Sequence, residues 1–184
     1  MRTVTYSMGV SLDGYINDAN GSIDWSPPDT ELHAFHNERV RKCDVQLLGR
    51  RLYEVMLYWE TVDPSTPDVE GEFAALWLPL EKIVFSSTLD AVEGNARLAS
   101  GGVVEELERL KAEEGKEIAV GGAGLAATCL EHGLIDDFEV FVYPIVLGGG
   151  TPFFPPLEQR IGLDLVETRA FAHGVTYLHY RLDG

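Results

Sequence analysis

A chain of 184 residues with 45% apolar and 24% charged side chains has the composition of one globular domain, large enough to bury its own core. Its 30 acidic against 14 basic side chains leave a net charge of −16, which argues against nucleic acid or an anionic membrane as partner, because either needs a basic face. No apolar run is long enough to span a bilayer, the first residues lack the apolar stretch of a signal peptide, and Cys43 and Cys129 form no CxxC pair, so the expectation is a cytoplasmic protein without a metal site or disulfide framework.

Val4 to Val10 is β-rich and loosely alternating, and reads as a first strand. Ser11 to Pro28 carries Asp13-Gly14, Asn17-Asp18, Asn20-Gly21 and Pro27-Pro28, all turn chemistry, and is predicted as a loop. Tyr15, Ile16, Ile23 and Trp25 give that loop more apolar material than a solvated segment needs, which marks it as functional. Asp29 to Lys42 is predicted as a helix capped by Asp29 or Thr30, with Leu32, Phe35, His36 and Val40 near helical spacing. Val45 to Leu48 is a second strand, Leu52 to Tyr58 a short helix, Thr61 to Glu70 an exposed acidic loop, and Phe73 to Leu80 ambiguous. Lys82 to Ser86 is a third strand, Asp90 to Asn95 a turn, Ala96 to Ala99 a short strand, and Val103 to Glu114 an amphipathic helix with Val104, Leu107 and Leu110 inward. Glu117 to Val120 follows as a strand, Leu125 to Glu131 as a helix closed by Gly133, and Phe138 to Leu147 as a long strand broken by Gly148-Gly149-Gly150. Asp164 to Ala172 and Val175 to Leu182 form a tight hairpin at His173-Gly174. The alternation predicts a single α/β domain, a three-layer α/β/α sandwich whose mostly parallel mixed sheet closes with a C-terminal antiparallel hairpin.

Ligands of such sheets bind beyond the carboxyl ends of the strands, and three strand exits have suitable chemistry. Gly49-Arg50-Arg51 joins a strand to a helix start, where free N–H groups and guanidinium groups suit a phosphate; the same arginines also read as solvated helix-start charges. Ser86-Ser87-Thr88 offers three hydroxyls. Gly121-Gly122-Ala123-Gly124, ahead of the helix from Leu125, lets the backbone approach a pyrophosphate. Gly122-x-Gly124-x-x-Ala127 matches a GxGxxA fingerprint, yet no ribose-binding acid follows at a strand end, and no lysine follows the glycines as in a nucleotide triphosphatase. His33 and His36 could bind a metal with Glu31, but no matching Glu-x-x-His occurs, and a structural histidine pair is the default. No Gly-x-Ser-x-Gly elbow is present.

Several segments, in order, resemble the dihydrofolate reductase-like superfamily, above all the branch holding the C-terminal reductase domain of bacterial bifunctional riboflavin-biosynthesis proteins and its stand-alone relatives. They are Ser11-Leu12-Asp13-Gly14-Tyr15-Ile16, Asp24-Trp25, Leu48-Gly49-Arg50-Arg51-Leu52-Tyr53-Glu54, Lys82-Ile83-Val84-Phe85-Ser86-Ser87-Thr88-Leu89, Val120-Gly121-Gly122-Ala123, Gly133-Leu134-Ile135-Asp136-Asp137 and Pro144-Ile145-Val146-Leu147-Gly148-Gly149-Gly150-Thr151-Pro152. The resemblance implies an NADPH-dependent reductase of a small molecule, in the first place of the 5-amino-6-(5-phosphoribosylamino)uracil reductase type, whose substrate phosphate would require an anion site. The alternatives are a reductase of pterins or of another small C=N or C=O compound, and a non-catalytic nucleotide-binding module. By the same resemblance Arg50 grips cofactor phosphate, Ser86 and Ser87 lie at the adenine-side ribose 2′-phosphate, Gly121, Gly122, Ala123 and Gly124 cradle the pyrophosphate, and Ile16 lies by the nicotinamide. Gly49, Arg51, Thr88 and Leu125, at the same exits, are further cofactor-binding candidates, Arg51 at a position the family pattern leaves variable. Trp25, Phe35 and Tyr53 fall to the substrate. Glu31, four residues before Phe35, and Asp13 are the candidate proton donors, with a solvated first-turn acid and a turn residue as their plain readings. Where dihydrofolate reductases carry threonine in a Gly-Arg-x-Thr motif, this chain has Leu52. The resemblance and the apolar strand Phe138 to Leu147 favour a homodimer.

Overall fold

The computed structural model describes residues 2–157 and 160–183. Its strands and helices, in chain order, are β1 (Val4–Ser11), β2 (Tyr15–Asn17), α1 (Thr30–Val40), β3 (Cys43–Gly49), α2 (Arg50–Met56), a 3₁₀ turn (Leu57–Glu60), α3 (Val69–Trp77), β4 (Glu81–Phe85), β5 (Ala96–Leu98), α4 (Val103–Ala112), β6 (Glu117–Gly121), α5 (Ala123–Glu131), β7 (Asp137–Tyr143), β8 (Thr151–Pro152), β9 (Leu163–Ala170) and β10 (Thr176–Leu182). Eight strands form one sheet in the order β5-β4-β3-β6-β1-β7-β10-β9, and β2 pairs with β8 in a small second sheet. From β5 to β7 every pairing is parallel, and the hairpin β9–β10 adds the antiparallel part at one edge. No described helix is long and apolar enough to cross a membrane.

Period-two alternation sorts the side chains into two layers. Val4, Tyr6, Val45, Leu47, Ile83, Ile118, Val120 and Phe138 meet Val103, Leu107 and Leu110 of α4 and Ala123, Ala126 and Cys129 of α5 on one face. On the other face Leu32 and Phe35 of α1 pack on Phe141, Tyr143 and Tyr177, while Phe73 and Trp77 of α3 pack on Leu48 and Val84. The predicted three-layer sandwich with its closing hairpin is the observed architecture.

Local differences have local causes. The ambiguous segment around Phe73 is helical because Asp68 caps α3, accepting from the N–H groups of Glu70 and Gly71. Asp29, rather than Thr30, caps α1 by accepting from Leu32 N–H at 2.8 Å. The strand predicted over Phe138 to Leu147 ends at Tyr143, because Pro144 has no N–H for the ladder; Ile145 O instead accepts from Leu12 N–H at 2.7 Å. Inside the predicted loop Ser11 to Pro28, Tyr15–Asn17 becomes β2 by pairing with the two residues of β8, a partner too short to show in a pattern. The hairpin predicted to turn at His173-Gly174 has a longer connection, for β9 ends at Ala170 and β10 begins at Thr176, with a 3₁₀ turn over Ala172–Gly174 in which His173 (φ 61°) and Gly174 (φ 82°) are left-handed.

Candidate active site

β4, β3 and β6 are neighbours in the sheet, so the exits at Ser86–Thr88, Gly49–Arg51 and Gly121–Leu125 lie side by side along its carboxyl edge. Gly122 turns β6 into α5 with φ 101°, a conformation side chains resist, and a methyl group there would lie 3.7 Å from Gly49 N. The first bond of the α5 region runs from Ala126 N–H to Gly122 O, which leaves the N–H groups of Ala123, Gly124 and Leu125 facing outward at the positive end of the helix. Space beside Gly124 is open. Arg50 and Arg51 are both exposed, and among the described residues Arg50 has only an i,i+4 pair with Glu54 at 3.3 Å, a contact of little energy. The Ser86 hydroxyl accepts from the N–H groups of Thr88 and Leu89, both at 3.1 Å, and so shapes the turn that presents exposed Ser87 and Thr88. Leu52 packs over Gly121, where any Cβ would collide with it. The residue that replaces the threonine of the resembling motif is therefore a packing group.

Beneath the edge, between the sheet and α1, lies a cavity of about 300 Å³. Thr5, Ser7 and Gly9 of β1, Gln46 of β3, Ala119 of β6 and Glu139 and Phe141 of β7 contribute its floor, while His33, His36 and Arg39 of α1 and Leu52, Trp59, Phe73 and Trp77 close it. Glu139 is 1% exposed, accepts from the Tyr177 hydroxyl at 2.8 Å and pairs with Arg39, whose guanidinium also reaches Glu117 at 3.4 Å. Burial opposes the charge of Arg39, but Glu139, Tyr177 and Glu117 outweigh it and raise the guanidinium pKa above its ordinary value. Burial, then the Glu139 carboxylate, push the Tyr177 phenol far above its ordinary range. Enclosure, with His33 beside it, pushes His36 down to about 4, so its imidazole is neutral at pH 7. Three buried polar atoms of the lining, Thr5 Oγ1, His33 Nδ1 and Arg39 Nε, have no hydrogen-bond partner among the described residues. Buried polar atoms left so are costly unless a ligand or water meets them.

Several predicted residues stand elsewhere. Glu31 is on the outer side of α1, exposed and paired with Arg169 of β9 at 2.9 Å, so it does not reach the cavity. It does share a helix side with Phe35, but that side faces the sheet's hairpin edge, where Phe35 packs on Phe171 and Tyr177. Asp13 accepts from Leu147 N–H at 3.0 Å and Gly148 N–H at 2.7 Å; the Ser11 hydroxyl and these amides hold its carboxyl at about 2. An exposed carboxylate of that kind caps a loop and has no proton to give near neutral pH. Tyr53 is buried, its hydroxyl accepts from Glu93 N–H at 2.7 Å, and it does not line the cavity. Trp25 stands edge-on to Tyr143 at 5.6 Å, at the carboxyl end of β7. Ile16 buries its side chain in the cluster of Val10 and Phe153. Thr5, Arg39, Glu117, Glu139 and the cavity role of His36 were missed by the sequence reading; a lone carboxylate within the apolar run Phe138 to Leu147 was the signal for one of them.

Comparison with known proteins follows the same lines. The family model described as RibD C-terminal domain matches residues 2–177. The uncharacterized protein YyaP of Bacillus subtilis (strain 168) is 34% identical over 186 residues, covering 100% of this chain and 96% of its own, and YwjB of the same organism is 31% identical, covering 97% of each. A putative riboflavin biosynthesis protein from Shewanella sp. PV-4 superposes with TM-score 0.79 at 23% identity, over 99% of both chains. A diaminohydroxyphosphoribosylaminopyrimidine deaminase/5-amino-6-(5-phosphoribosylamino)uracil reductase from Thermotoga maritima gives 0.68 at 17%, with 99% of this chain covering 57% of that one. Dihydrofolate reductase from Enterococcus faecalis, complexed with NADP(H), gives 0.64 at 18%, over 99% and 97%. At these identities the structures share the fold.

Proposed function

Because the chain belongs to the RibD C-terminal domain family, we propose that it is an NADPH-dependent reductase of a small heterocyclic or sugar-amine compound. The observation that carries this reading is the contact between the two halves of the site: Leu52, which packs on Gly121 of the glycine corner, is also a wall of the polar cavity. The free amides of Ala123, Gly124 and Leu125 fit a pyrophosphate, with Gly122 allowing close approach. Arg50 and Arg51 with Ser87 and Thr88 fit the ribose 2′-phosphate, and the positive charges are the feature that separates NADPH from NADH. When bound, NADPH supplies the hydride.

The chain supplies positioning, a mostly apolar pocket and polar contacts. Gly9 keeps the floor low beneath a planar ring. His36, neutral and tilted against Phe141 with ring centroids 4.4 Å apart, can donate a hydrogen bond to a substrate carbonyl or imine without placing a second cation beside Arg39. Neither Glu31 nor Asp13 lines the cavity and a neutral imidazole only polarises the acceptor, so the proton that accompanies the hydride comes from solvent water. The resident site of such an enzyme would be the cytoplasm, where NADPH is made available.

A thermal-shift titration tests the reading. A ligand present at a hundred times its dissociation constant adds about 2.7 kcal/mol, so NADPH should raise Tm by several degrees and NADH by less. No shift with either would refute it. Arg50→Ala and Arg51→Ala, made together, should bring the two cofactors together.

A further inference from the structure

We infer that the compound reduced in the cavity carries no phosphate: the pocket is built for a planar heterocycle, neutral or cationic, whose amino or amide N–H groups face the carboxylates of Glu139 and Glu117. The inference rests on the reductase reading and departs from the phosphorylated substrate named for the Thermotoga maritima protein.

Charge is the first ground. The cavity holds two carboxylates and one guanidinium, and that guanidinium is already committed to both carboxylates. No lysine lines it among the described residues. From Thr3 to Glu38 the chain carries no lysine or arginine at all, and this stretch supplies β1, the loop to Pro28 and most of α1, so one floor strand, the rim and most of the roof are without a cation. Pro28, the residue of that loop that lines the cavity, is followed by the acid Asp29. A phosphate dianion entering here would lose water and meet net negative charge, both unfavourable. Arg50, Arg51 and the N-terminus of α5 could hold a phosphate, but in the reductase reading the cofactor's own phosphates occupy those strand exits.

The unpartnered atoms are the second ground. Thr5 is 3% exposed and His33 7%, and their Oγ1 and Nδ1 wait without partners in the lining, together with Arg39 Nε. Three single-point groups beside two carboxylates match the alternating donors and acceptors on the edge of a pyrimidine or pterin ring. They do not form the converging set of donors that an anion of several oxygens needs. The walls agree in being aromatic, for His33 stands edge-on to Trp59 at 5.5 Å and to Phe73 at 5.6 Å in the lining, surfaces on which a planar ring can pack.

Trp59 and Trp77 line the cavity, so protein fluorescence reports its filling. The protein loaded with NADPH is titrated with 5-amino-6-ribosylaminouracil, with its 5′-phosphate, and with a neutral dihydropterin. The unphosphorylated probes should bind at least about ten-fold more tightly than the phosphate, and Glu117→Gln, by removing a carboxylate and loosening Arg39, should narrow that ratio. Equal or tighter binding of the phosphate would overturn the inference, and so would quenching by neither neutral probe. NADPH binding is read separately in the thermal shift without substrate, so a failed cofactor reading shows there first.

Discussion

His36 shows how a single enclosed side chain ties the site to stability. Its folded pKa is lowered from 6.5 to about 4 by burial and by His33. Between those values the unfolded chain binds a proton that the folded protein refuses, so stability is lost as pH falls from about 6.5 to about 4 and this contribution is flat outside that window. His36→Gln should remove about 2–3 kcal/mol of the loss between pH 7 and pH 4.5, measured as the difference in urea unfolding free energy at the two pH values. An unchanged difference would mean that His36 is solvated and takes its proton freely. At this scale the sequence was half legible. Spacing puts Glu31 and Phe35 on one side of α1 but does not say what that side meets, and the answer was the hairpin edge rather than the cavity. Glu139 was visible as a charge inside an apolar strand; its partners Arg39 and Tyr177 come from distant elements and left no local trace.

The turn between β6 and α5 carries opposite demands on two glycines. Gly122 has φ 101°, so Gly122→Ala should cost about 1–3 kcal/mol, seen as a lower Tm, along with weaker NADPH binding as the amides of α5 move. Gly124 lies in the helix with open space beside it. Gly124→Ala should raise stability by roughly 0.5–1 kcal/mol while weakening NADPH binding, because the new methyl group stands where a pyrophosphate would pass. Denaturation and cofactor titration on the same variant separate the two effects; unchanged affinity would move the cofactor away from this corner. The elements that offered this chemistry were legible because glycines, hydroxyls and arginines cluster at strand exits. Their adjacency was not, since nothing local says that β6 enters the sheet between β3 and β1. Short β2 and β8 were illegible for another reason, having too few residues to show a period.

For the whole molecule, a net charge of −16 repels an anionic cofactor at long range while a few local cations hold it. The NADPH association rate should therefore rise, roughly two-fold or more, as ionic strength goes from about 10 to 150 mM and screens the repulsion; a falling rate in stopped-flow would show that Arg50 and Arg51 dominate the approach. A homodimer, expected from the apolar strand around Val140, needs a different surface, because β7 lies inside the sheet between β1 and β10. We place it at the edge strand β9, where Leu165 is 55% and Val166 48% exposed. Size-exclusion should show a dimer that Leu165→Lys converts to monomer, and a monomeric wild-type protein would refute the placement. The order of the sheet also has a consequence for synthesis. β1, made first, finds its partners only at Ile118 and Asp137, and Glu139 finds its hydroxyl only at Tyr177. A nascent chain therefore carries β1 without its sheet neighbours until residues 117–143 have been made, and the Glu139 carboxylate lacks its hydroxyl partner until Tyr177 follows, so the demand for chaperones should persist at least that far into translation.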